Sequence, residues 1–132
     1  IVSMIIRKWS FISTLKFLKQ EGYDTVTLSN REFDIGHKYS DESIIEDYSN
    51  AEAIVESFNN LKCNYLIPGS NDFSMVACSD AAERIGLSGF DSLENTKELH
   101  YKNRLRNLQK ILELKLKILN KNLFYTSRHQ KE

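Results

Sequence analysis

The chain has 132 residues, 41% apolar and 27% charged, with a formal net charge of zero, which suits one globular domain with a real core. No run reaches the roughly 18 apolar residues that span a bilayer, and no basic, apolar leader opens it, so a cytoplasmic protein without a membrane partner is expected. Cys63 and Cys78 show no CxxC and no metal-like spacing, and they read as reduced structural thiols.

Ile1-Val2-Ser3-Met4-Ile5-Ile6 is a short apolar run of the kind found in a buried parallel strand. Ser10 stands where it can cap a helix, with Phe11, Ile12, Leu15 and Leu18 on one face and Gly22 to end it. Thr25 to Ser29 reads as a second strand, β-branched and brief. Strand, amphipathic helix and strand in succession make a βαβ unit, and hence a parallel sheet with right-handed crossovers. Asn30 to Asp41 is polar and irregular, and Ser43-Ile44-Ile45-Glu46 predicts a third strand. Ser49 and Glu52 have the form of a capping box before a helix that turns Ala51, Ile54, Val55, Phe58 and Leu61 inward. Asn64-Tyr65-Leu66-Ile67 predicts a strand apolar enough to be central, stopped by Pro68-Gly69. Ser70 caps the next helix, which carries Phe73, Val76, Ala77, Ala81 and Ile85 and closes at Gly86. Asp91 to Glu94 suggests a capped turn, and a last helix from about His100 buries Leu105, Leu108, Ile111 and Leu112. Leu114, Leu116 and Ile118 then alternate with Lys115 and Lys117, which is strand spacing. The whole predicts a three-layer α/β/α domain with a mainly parallel sheet of four or five strands.

Chemistry is best carried by the segment Leu66 to Phe73. In an open parallel sheet the ligand crevice lies beyond the carboxyl ends of the strands. Gly69 lets a ligand approach the backbone, and the helix that follows offers N–H groups to an anion. Ser70, Asn71 and Asp72 add side-chain hydrogen bonds, and Arg7 at the end of the first strand can clamp a carboxylate or phosphate. On the alternative reading Ser70 only caps the helix and Asp72 only complements its dipole. Asp41, Glu42, Glu46 and Asp47 read as a solvated acidic loop rather than a Mg²⁺ site. His37, His100 and His129 have no HxH or HExxH spacing, Ser70 has no GxSxG context, and the first strand–helix turn has no GxGxxG. No catalytic residue and no metal ligand is assigned. From Lys97 onward ten Lys or Arg stand against three acids, about +7, which leaves about −7 for the remainder. That basic segment reads as a solvated helix face, a surface for a nucleotide phosphate or one for an acidic neighbour, and no nucleic-acid partner is expected.

The order of these pieces resembles the pre-ATP-grasp domain of ATP-grasp ligases, especially the carbamoyl-phosphate-synthase-like and biotin-carboxylase-like enzymes. The resemblance lies in acidic Tyr39-Ser40-Asp41-Glu42 before a short strand and in the turn Ile67-Pro68-Gly69-Ser70-Asn71-Asp72. It continues in the helix Ala81-Ala82-Glu83-Arg84-Ile85-Gly86-Leu87, the small turn Ser88-Gly89-Phe90, and Tyr101-Lys102-Asn103-Arg104-Leu105-Arg106. It spans roughly residues 1 to 118 and departs from the family in two places: Tyr101 replaces an Asp, and Arg7-Lys8-Trp9 lacks the usual glycines. The resemblance implies a Rossmann-like domain over residues 1–113, with 114–132 the start of a missing following domain or a tail. It implies a substrate-side domain of an ATP-dependent carboxylate–amine ligase, with Gly69, Ser70, Asn71, Asp72 and Arg7 toward a small carboxylate or amine and Lys102 toward ATP. ATP and Mg²⁺ would be used by the full-length enzyme through an absent ATP-grasp domain, so this fragment alone is expected to be inactive. A homodimer through an unpartnered strand is a further expectation. The alternative is a non-catalytic Rossmann-like module that binds a small ligand or a partner; a Rossmann-like sugar or nucleotide enzyme domain is weaker still.

Overall fold

The computed structural model describes the backbone of residues 1–6 and 11–129 and the side chains of residues 1–5 and 11–119. Short apolar or β-branched stretches form four strands: β1 (Val2–Ile6), β2 (Asp24–Ser29), β3 (Glu42–Ile45) and β4 (Tyr65–Ile67). They lie in the order β3-β2-β1-β4, and every neighbouring pair is parallel. The expected α/β fold with a parallel sheet of four or five strands is therefore present, with four among the described residues.

Strand geometry sends alternate side chains to opposite faces, and the two faces of this sheet differ. Met4, Val26, Leu28 and Leu66 meet helices α2 (Ala51–Asn60) and α3 (Asp72–Ile85) in the apolar core, through Ile54 and Phe58 of the first and Ala77, Cys78 and Ala81 of the second. The opposite face offers Ser3, Ile5, Thr25, Thr27 and Ser29, all buried, and α1 (Ile12–Gln20), with its buried Leu15, runs beside β2. Helix α3 turns six small residues inward, from Ser74 to Ala82. It ends at Gly86, whose φ of 71° is a left-handed conformation that costs glycine little.

Two capping assignments are corrected. The cap of α2 is Asn50, whose side chain accepts from Glu52 N, and the cap of α3 is Asn71, whose Oδ1 accepts from Ser74 N at 2.9 Å. Ser49 instead bonds Asp47, and Ser70 precedes the cap. In each Ser-Asn pair the Asn sits immediately before the first helical residue and has the extended backbone a cap requires. Ser10, the expected cap of α1, lies outside the described residues. Strand β4 is an edge strand, not a central one: it has three residues, and its Tyr65 is exposed.

The largest correction lies toward the carboxyl end. After α4 (Leu93–His100) comes one helix, α5 (Lys102–His129), which takes in Leu114, Leu116 and Ile118. No glycine or proline interrupts its sequence, and Leu, Lys, Arg, Gln and Glu, all strong helix formers, fill most of residues 102–119. Five residues of alternation are too short a strand signal to override that. The chain falls into two compact units, residues 1–96 and residues 97–132.

Candidate functional site

Chain order through the sheet fixes where a ligand crevice opens. The chain goes from β1 outward to β2 and β3 and then crosses to the other side of β1 to make β4. The switch point is between β1 and β4, and ligands of open α/β sheets bind there, beyond the carboxyl ends of the strands. Ile5 pairs with Ile67, so the two strands end almost level. The turn from Pro68 to Asn71 leaves β4 at this point, and α3 starts at Asp72 with its positive dipole end at the same edge.

Within the turn Gly69 is buried, Asn71 is half-buried, and Ser70 and Asp72 are exposed. Asn71 divides its side chain between two tasks. Its Oδ1 caps α3, while its Nδ2 is buried and has no hydrogen-bond partner among the described residues. A buried amide donor left unpaired costs about 1–3 kcal/mol. An acceptor arriving at the switch point would remove that cost. Arg7 lies outside the described residues. Lys102 is the exposed first residue of α5, in the second unit.

A hollow of about 390 Å³ opens at the opposite end of the sheet, where the strands begin, lined by Val2, Asp24, Thr25, Val26, Asp41, Glu42 and Leu61. Of its carboxylates, Asp41 is engaged in structure. Asp41 accepts from Thr25 N and Thr25 Oγ1, both at 2.8 Å, and pairs with Lys19 Nζ at 2.8 Å. The Lys19 ammonium, helped by the Thr25 bonds, lowers the Asp41 carboxyl to about 2. Asp24 lies 3.9 Å from the amino terminus. In the acidic cluster named from the sequence, Asp47 is taken by Ser49 N and Oγ, which hold its carboxyl below the usual range. Among the described residues no group of three His, Cys, Asp or Glu side chains could hold a metal ion.

Sequence reasoning missed a polar seam on β2. The hydroxyl side chains of Thr25, Thr27 and Ser29 share one face, and the segment from Asp34 to Asp41 lies over them. Thr25 meets Asp41, Thr27 Oγ1 lies 3.1 Å from His37 Nδ1 and 2.8 Å from Ser40 Oγ, and Ser29 Oγ donates to Asp34 at 3.0 Å. His37 Nε2 reaches the carbonyl of Arg31 at 3.1 Å. A neutral imidazole protonated on Nε2 satisfies both contacts, accepting from Thr27 and donating to Arg31. The signal was the Thr-x-Thr-x-Ser alternation ahead of a polar loop. His37 thus holds a loop in place. Burial raises the Cys78 thiol to about 12; burial, with the charge of Glu42, raises that of Cys63 to about 11. Neither is a thiolate nucleophile near neutral pH.

No protein-family model matches the chain, and no curated protein sequence does. Solved structures do. Phosphoribosylglycinamide synthetase from Anaerococcus prevotii superposes on 83% of the chain with a TM-score of 0.66 at 14% identity. N5-carboxyaminoimidazole ribonucleotide synthetase from Thermotoga maritima covers 83% with a TM-score of 0.59 at 14% identity. A structure described as glycinamide-RNase-transformylase T from Mycobacterium tuberculosis covers 80% with a TM-score of 0.55 at 15% identity. The chain spans 29%, 30% and 33% of those three chains. At 14% to 15% identity the likeness is one of fold. No described helix is long and apolar enough to cross a membrane.

Proposed function

We propose that the chain is the substrate-side domain of an ATP-dependent carboxylate–amine ligase and that it works only together with the rest of such an enzyme. The observation that carries this reading is Asn71. At the switch point of a sheet whose fold occurs in ligases, a capping side chain keeps a buried Nδ2 donor without a partner. That donor, the amino end of α3 and the Ser70 and Asp72 side chains form a wall that would orient a small carboxylate or its amine partner. Gly69, already buried, keeps side-chain bulk off that wall. Arg7 and Lys102 are proposed for a carboxylate or phosphate and for ATP. In a full enzyme ATP would supply the activated acyl phosphate. Mg²⁺ finds no fitting group among the described residues, and no step is assigned to it on this chain. A cytoplasmic location accords with this reading.

Two measurements test it. Titration of the chain with Mg·ATP should show no binding tighter than about millimolar, roughly −4 kcal/mol. Amide NMR spectra recorded with small amino acids and ribose phosphates should shift the signals of Gly69 to Ser74. Shifts confined to Asp24, Thr25 and Asp41 at the other end of the sheet would sink the reading, and micromolar Mg·ATP binding would show that the nucleotide site was misplaced.

A further inference from the structure

We draw no further inference here: the strongest candidate, the hollow of about 390 Å³ where the strands begin, is an acidic cluster of Asp24, Asp41 and Glu42 beside apolar walls, and nothing among the described residues shows what it would hold.

Discussion

Residues 1–96 and 97–132 are both built from amphipathic segments, yet they end differently. In the first unit apolar side chains at strand and helix spacing find one another, and Met4, Leu28 and Ile54 are fully buried. In the second, six of the nine residues from Ile111 to Leu119 are leucine or isoleucine, and all nine are exposed. The difference lies in whether a second apolar surface is supplied, since an apolar pattern stabilises a structure only when something covers it.

The sharpest way to break this comparison is to truncate one large side chain in each unit. Ile54→Ala removes a fully buried side chain between α2 and the sheet and should destabilise the chain by about 2–5 kcal/mol. Leu116→Ala leaves no cavity and should stay within about 0.5 kcal/mol. Urea unfolding of the two variants checks both. Equal losses would mean that α5 is held against a core after all.

A second test concerns the polar seam. Thr27→Val keeps the shape of the strand but leaves His37 Nδ1 and Ser40 Oγ without their shared hydroxyl. Removing one partner from a part-buried network should cost about 1–3 kcal/mol and loosen the loop that begins at Asp34. Hydrogen exchange at Gly36 and His37 would show the loosening. Unchanged exchange would mean that the loop is held by its backbone alone.

These two regions also show what the sequence made legible. The four strands and helices α1, α2 and α3 follow from a local period and a nearby stop, such as Gly22 or Gly86, and agree with expectation to within a few residues, whereas α4 was read only as a capped turn at Asp91 to Glu94. The caps were misplaced by one residue because Ser49-Asn50 and Ser70-Asn71 each offer two good caps in succession, and only backbone geometry chooses. The seam over β2 was hidden because its partners are 5 to 16 residues apart in sequence and meet by folding back across one strand face. The turn at Gly69 was legible as a strand-to-helix turn, but its place beside β1 depends on strand order, which no local pattern states. The later part of α5 was misread as a strand because alternation over Leu114 to Ile118 was weighed without the unbroken helical propensity on both sides.

Asn71 separates structure from binding at the proposed crevice. Asn71→Ala removes the cap of α3 and should cost about 1 kcal/mol. Asn71→Ser retains a capping oxygen and deletes the buried Nδ2, so it should keep most of the stability. If ligands shift Ser74 in the native chain but not in the Ser variant, the amide binds; if both respond alike, Asn71 is a cap and nothing more.

The smallest effect is the ion pair that fastens the end of the seam. Asp41 is drawn to about 2, from an ordinary value of 3.8, first by its bond to Lys19 and then by its bonds to Thr25. A carboxyl lowered in the folded state adds stability that is complete above its unfolded value and disappears as pH falls toward the folded one. The window therefore runs from just above pH 4 down to about pH 2. Both side chains are more than a third exposed, so water and salt screen the pair and its worth is about 1 kcal/mol at most. Other carboxyls titrate over the same range, which makes the informative quantity a difference between two chains. Lys19→Met removes the main cause of the shift while keeping the aliphatic stem. The native chain should be the more stable at pH 6, and most of the gap should be gone by pH 2, when measured by urea unfolding. A gap independent of pH would show that Lys19 acts through its stem against the sheet rather than through Asp41, and the seam would then rest on the Thr25 hydrogen bonds alone.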